Sequence, residues 1–143
     1  MNSAVIVAGG VGFRFGGDIP KQFIKINGQE ILSFSVNTFL EHPQIDEVII
    51  VCHPDWKEHV ITNYPNCIVI EGDQRRQDSS MKGVSVVSDE SEHVLIHDAV
   101  RPFVSKKIIN DCLSALANSD GSAPIMNISN SLIQLKKEKA TYV

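Results

Sequence analysis

The chain has little of what would commit it to a membrane, to nucleic acid or to an oxidising compartment. No apolar run in its 143 residues approaches the roughly 20 needed for a bilayer-spanning helix. No basic segment precedes a hydrophobic stretch at the N-terminus, so a secretory leader is not expected. Positive charge is not in excess: 13 Lys and Arg against 17 Asp and Glu leave a net charge of −4. That argues against nucleic acid or an anionic lipid surface as partner, and any anionic ligand must be held by local cations. Cysteine is scarce and odd in number. Cys52, Cys67 and Cys112 stand apart among apolar neighbours, with no C-x-x-C, and His53, His59 and His97 keep no zinc spacing. Isolated thiols of this kind point to buried free side chains in a reducing compartment, the cytoplasm. Repeats, low-complexity tracts, linkers and a Ser–His or Cys–His nucleophile signature are all missing.

What is present is ordinary for a globular chain, 43% hydrophobic and 21% charged, with the length of one domain. The apolar pattern alternates short runs with helical stretches. Residues 4–8, 47–52 (EVIIVC), 68–70 and 93–97 (HVLIH) read as strands. Residues 30–41 read as a helix with Leu32, Val36, Phe39 and Leu40 on one face. A short helix is expected over 53–64 with Pro54 near its start. A weaker one is expected over 78–88, with Gly83 inside it. A clear helix over 105–117 has Ser105 as its N-cap and Ile108, Ile109, Cys112, Leu113 and Leu116 as its stripe. Two final strands are expected over 122–126 and 131–135. Strand and helix in alternation predict a three-layer α/β fold, a Rossmann-like, mostly parallel sheet with helices on both faces. Such sheets bind ligands beyond the carboxyl ends of their strands, which singles out three loops.

The first loop runs through VIVAGGVGFRFGGDIPKQF, residues 5–23. Its glycines let a ligand approach backbone N–H groups, which together form an anion-binding concavity. Arg14 and Lys21 add two cations, so the segment reads as a polyphosphate cradle. It is neither of two common nucleotide loops. The dinucleotide fingerprint G-x-G-x-x-G fails at Phe15, and the P-loop fails at Asp18 and Ile19, where Lys and Ser or Thr should follow Gly17. The second loop, EGDQRRQDSS over 71–80, is rich in hydrogen-bonding groups. The third, HDAVRPF over 97–103, places Asp98 at a strand's carboxyl end, where a carboxylate can hold Mg²⁺ facing a triphosphate. Arg101 follows, and Pro102 stiffens the turn.

Taken together, AGGVGFRFGGDIPKQF, GDQRRQDS and HDAVRPF resemble the three signatures of the cytidylyltransferases acting on polyol phosphates. These include the 2-C-methyl-D-erythritol 4-phosphate and ribitol 5-phosphate enzymes. The resemblance implies a CTP- and Mg²⁺-dependent transfer of CMP to a polyol phosphate with release of pyrophosphate. It implies Arg14, Lys21 and Asp98 as catalytic residues, and Ala8, Gly9, Gly10, Gly12, Gly72, Arg76, Ser79 and Arg101 as nucleotide-binding. Asp98 would also be the metal ligand, and Asp98 and Ser131 would face the acceptor. Asp73 replaces the second glycine of the cytidine loop, and Asn130–Ser131 stands where an Asp-Thr pair is expected. The chain reads as one nucleotidyltransferase domain over 1–143 without the family's C-terminal part; a homodimer is expected where the C-terminal arm is present. Ala8-Gly9-Gly10, the stretch HPDWKEH and the lack of Lys after Ser131 lean toward ribitol 5-phosphate as acceptor. A nucleotidyltransferase of other base specificity and a non-catalytic nucleotide-binding fragment are the alternatives.

Overall fold

Strand β1 (Asn2–Ala8) is the axis of the fold. A computed structural model describes residues 1–10, 19–126, 133–136 and 139–142, the last two stretches by their backbone. After β1 come a 3-10 turn (Lys21–Phe23), the short strands β2 (Lys25–Ile26) and β3 (Gln29–Glu30), helix α1 (Ile31–Leu40) and strand β4 (Glu47–Cys52). A second 3-10 turn (Pro54–Trp56) leads into α2 (Lys57–Asn63), then β5 (Ile68–Glu71), α3 (Arg76–Val84), β6 (His93–Asp98) and α4 (Lys106–Leu116). Strands β7 (Ile133–Lys136) and β8 (Lys139–Tyr142) pair antiparallel, Ile133 opposite Tyr142.

The main sheet has the order β5-β4-β1-β6, and every pair in it is parallel. Side chains alternate between its faces with period two. Ala4, Ile6, Ala8, Val48, Ile50 and Cys52 pack against Leu32, Val36 and Phe39 of α1, Val60 of α2, and Ile109 and Leu113 of α4. Val5, Ile49 and Val51 point to the opposite face, where α3 crosses. The expected three-layer α/β architecture is therefore present. Gly83 explains how α3 lies so close: a Cβ there would overlap Val5 Cγ1 and come within 2.9 Å of Val51 Cγ2.

Local signals account for the ends. Ser105 caps α4, its Oγ accepting from Ile108 N at 3.3 Å. The His53 ring caps the turn that starts at Pro54, Nδ1 accepting from Asp55 N. Asn27 (φ 51°) and Gly28 (φ 82°) supply two left-handed residues between β2 and β3, the requirement of a tight two-residue hairpin. Cys52 is buried and Cys67 and Cys112 are partly so; all three are free. Burial pushes the Cys52 and Cys67 thiols up to about 11. No helix among the described residues is long and apolar enough to cross a membrane.

Three expectations change. Residues 122–126 form no strand, and Ile125 and Met126 are each 91% exposed. A strand is stabilised by its ladder, and this segment has no ladder partner among the described residues. The helix expected over 78–88 instead starts at Arg76 and ends at Val84. Of the strand expected over 131–135, residues 131 and 132 lie outside the described residues, and the remainder belongs to β7.

Candidate functional site

The chain passes from β1 to β4 and β5 on one side, then returns to β6 on the other. The loops after β1 and β6 therefore separate at the sheet's topological switch point, the crevice in which open α/β sheets bind ligands. Register brings the carboxyl ends to a common level: Ala8 is opposite Cys52, Cys52 opposite Glu71, and Val7 opposite Asp98. A cleft of about 340 Å³ opens there. Ala8, Gly9 and Gly10 line it from β1, Asp73, Arg76 and Ser79 from the loop and helix after β5, and Asp98 and Arg101 from the loop after β6. The three loops singled out in the sequence thus meet in one place. Lys21 lies in the 3-10 turn just beyond the glycine loop. Gly12, Arg14 and Ser131 lie outside the described residues.

The loop after β5 is closed on itself. Ser79 is buried, its Oγ accepting from Asp73 N at 2.9 Å and donating to Asp73 O at 3.2 Å. Gly72 stands behind Ser79, and a Cβ on it would come 2.9 Å from that hydroxyl. Its N–H donates to Cys52 O at 2.7 Å. Asp73 pairs with Lys82, Nζ to Oδ2 2.9 Å. The Lys82 contact, then the Gln74 N–H, hold its carboxyl below the usual carboxylate range. Lys82 also donates to Gly72 O at 3.3 Å. The residue that replaces a glycine of the family pattern is thus tied into its own loop.

Asp98 joins the two walls of the cleft. Arg76 Nε donates to Oδ1 at 2.7 Å and Arg101 Nε to Oδ2 at 2.9 Å. Partial burial raises the Asp98 carboxyl, but the two guanidinium groups outweigh it and hold it below its usual value. His97 steadies the same loop from behind: its Nε2 lies 3.1 Å from Arg101 O and 3.2 Å from Ser35 Oγ, and its ring packs on Phe39 at 5.2 Å. Burial pushes the imidazole toward its neutral form, which donates Nε2–H to the Arg101 carbonyl.

The donor chemistry suits one kind of metal site. No group of three or more His, Cys, Asp or Glu side chains gathers among the described residues, so a protein cage is not formed there. Mg²⁺ commonly binds through one or two carboxylates together with substrate phosphates and water. A carboxylate has about four lone-pair positions, so Asp98 keeps acceptor capacity beside its two arginines.

The sequence model of the IspD family, 2-C-methyl-D-erythritol 4-phosphate cytidylyltransferase, matches residues 2–141. The chain belongs to this family. It is 40% identical over 144 residues to a 2-C-methyl-D-erythritol 4-phosphate cytidylyltransferase of Clostridium botulinum (strain Loch Maree), covering 96% of this chain and 62% of that one. It is 36% identical to a bifunctional IspD/IspF enzyme of Brucella anthropi, covering 92% of this chain and 34% of that one. The chain therefore spans about three fifths of the length of the monofunctional relative. The fold superposes on 4-diphosphocytidyl-2C-methyl-D-erythritol synthase from Anaerococcus prevotii with a TM-score of 0.83 at 24% identity, covering 99% of this chain and 62% of that one. The Francisella tularensis 2-C-methyl-D-erythritol 4-phosphate cytidylyltransferase gives 0.75 at 27%, covering 99% and 65%. None of these names carries ribitol phosphate, so the lean toward that acceptor finds no support in them.

Three residues at the site escaped the sequence reading: Gln22, Lys82 and His97. Gln22 had a signal, since it adjoins Lys21 in a segment already singled out. Lys82 sits at the end of the helix that follows the second loop, one turn beyond Ser79. His97 closes the strand expected over 93–97, and nothing local reveals that it reaches Ser35, 62 positions away.

Proposed function

We propose that this chain carries the nucleotide-binding and catalytic part of a CTP-dependent cytidylyltransferase that transfers CMP to 2-C-methyl-D-erythritol 4-phosphate and releases pyrophosphate. The observation that carries the reading is the meeting of the glycine loop, the 72–79 loop and the 97–101 loop at the switch point of a parallel sheet. The family's named relatives supply the acceptor.

In this reading a phosphate oxygen of the acceptor attacks the α-phosphorus of CTP in line, and pyrophosphate leaves from the opposite side. No protein nucleophile takes part, so the residues act by positioning and by opposing extra negative charge. Backbone N–H groups of Gly9, Gly10 and Gly12 cradle the β- and γ-phosphates. Arg14 and Lys21 face the charge that grows at the α-phosphorus and the departing oxygen. Gly72, Arg76 and Ser79 frame the cytidine, and Arg101 adds a cation at the opposite wall. Asp98 and Ser131 orient the acceptor. Mg²⁺, when bound, supplies further positive charge on the triphosphate, with Asp98 as its ligand from this chain. A homodimer, where the family's C-terminal arm is present, and a cytoplasmic setting complete the proposal.

The test is calorimetric titration with CTP, UTP and ATP in Mg²⁺, followed by pyrophosphate release with methylerythritol phosphate beside ribitol 5-phosphate. Selective CTP binding, and turnover with the first acceptor that falls roughly a hundredfold or more in Lys21→Ala, are expected. Preference for another nucleotide overturns the cytidine assignment, and faster turnover with ribitol phosphate overturns the acceptor.

A further inference from the structure

The 3-10 turn that follows the glycine loop is fastened from two directions. Gln22 is 4% exposed, and its Nε2 donates to Ala8 O at 2.7 Å and to Gly10 O at 2.8 Å. A primary amide has two N–H donors, and both are committed to the carbonyls that straddle Gly9. Peptides are planar, and none of those described here is cis. Across a trans peptide the C=O and N–H point in opposite directions. Holding the Ala8 carbonyl on Gln22 therefore turns the Gly9 N–H away from Gln22.

Phe23 provides the second fastening. It is 4% exposed and stacks on Trp56 with ring centroids 4.4 Å apart, and the His59 ring meets it edge-on at 5.2 Å. His59 Nε2 lies 2.7 Å from Glu30 Oε1, and the Tyr64 hydroxyl donates to Glu30 Oε2 at 2.8 Å. The turn is thus seated on α2 and on the start of α1. Lys21 immediately precedes these two anchors.

We propose that Gln22 is a positioning residue for polyphosphate recognition. It sets the carbonyls of Ala8 and Gly10 and couples them to the turn that carries Lys21. Loop and cation then meet the triphosphate as one preorganised unit, which reduces the ordering cost of binding. This inference rests on the nucleotide reading above and deepens it, since Gln22 acts through the backbone and not by touching the reacting atoms.

The test compares CTP with CMP, because a phosphate-cradle role weighs on the β- and γ-phosphates alone. Affinities of the 143-residue chain for both are measured by calorimetry in Mg²⁺, with a thermal melt for each variant. Gln22→Met keeps the side chain's length and removes both donors. The expected result is a loss of roughly tenfold or more in CTP affinity, the scale of one or two net hydrogen bonds, with CMP affinity within about twofold of wild type. Gln22→Leu also removes both donors and adds no charge, so it gives the same selective loss and decides the matter if Gln22→Met does not fold. Equal losses for CTP and CMP, or a lowered melting temperature with an unchanged CTP-to-CMP ratio, overturn the positioning role. A wild-type chain that binds CTP no better than CMP overturns the nucleotide reading itself, and is seen before any variant is made.

Discussion

One row across the sheet contains Ile49, Val5 and Ile96, paired side by side in β4, β1 and β6. Ile49 and Val5 are wholly buried, whereas Ile96 is 48% exposed. All three are apolar and β-branched, and all three sit inside short apolar runs. The difference lies in their neighbours. β1 and β4 each have a strand on both sides, while β6 forms the margin of the sheet among the described residues. Its face near Ile96 is bordered by Met81 and Val84 of α3, which are 63% and 41% exposed. Burial is thus a property of a place in the sheet, and the same side chain counts for much in the middle and little at the margin. The cleft lies where the two regions join, with the β1 loop on the closed side and the β6 loop on the open one.

Truncating Ile49 and Ile96 gives the largest expected contrast. Ile49→Ala should cost about 2–5 kcal/mol, the usual range for a buried Ile cut to Ala. Ile96→Ala should cost under about 1.5 kcal/mol, since about half of that side chain already meets water. Denaturant midpoints at unchanged m-value measure both; equal losses would mean that β6 is as well covered as β4. Next in size is Gly83→Ala, which forces a methyl into Val5 and Val51 at the closed face. A loss of about 1–3 kcal/mol is expected, typical of overpacking, and a helix-stabilising gain would show that α3 can lift away at little cost.

Asp98→Asn separates stability from function on the open side. Arg76 and Arg101 are 61% and 75% exposed, and pairs of this kind contribute at most about 1 kcal/mol. Thermal stability should therefore change little while CTP-dependent pyrophosphate release falls roughly a hundredfold. Parallel loss of both would assign Asp98 to the fold alone.

The smallest effect concerns pH. Burial depresses His97 below its ordinary value of 6.5, so the folded state favours the neutral ring. Its contribution is complete above 6.5 and declines as pH falls below that value toward the lower folded pKa. Asp98 is likewise depressed from 3.8, so its contribution is complete above that value and is lost only as pH falls below it. Hydrogen exchange should then show the 97–101 loop losing protection between pH 7 and 5 while β4 does not; equal protection at both pH values would remove His97 from that account.

Much of this was open to reading in the residues alone. Hydrophobic runs marked β1, β4 and β6 within about two residues, and Ser105 marked the start of α4 by its own hydrogen bond. The short β2–β3 hairpin was missed although Asn27-Gly28 is its usual signal, because strands of two residues leave no alternation to count. Residues 122–126 carry a strand-like pattern and still form no strand, since a pattern cannot supply a partner. At the site, Ala8, Gly9, Gly10, Arg76, Ser79, Asp98 and Arg101 were all singled out beforehand, and the sheet order brings them to one cleft. Gln22 was not, because a buried amide holding carbonyls 12 and 14 positions away has no period.

The sequence by itself determined most of the helices and strands, the β2–β3 hairpin and residues 122–126 apart, and which residues are available for chemistry. Period, capping groups and turn residues act over a few neighbouring positions, so they are written locally. Tertiary structure alone decided that β1 is enclosed and that β6 is marginal among the described residues, that Gly83 must lack a side chain, that Asp98 stands between two arginines, and that Gln22 holds the carbonyls of Ala8 and Gly10. Each of these is a relation between segments far apart in the chain, set by strand order and by the volume left between packed layers.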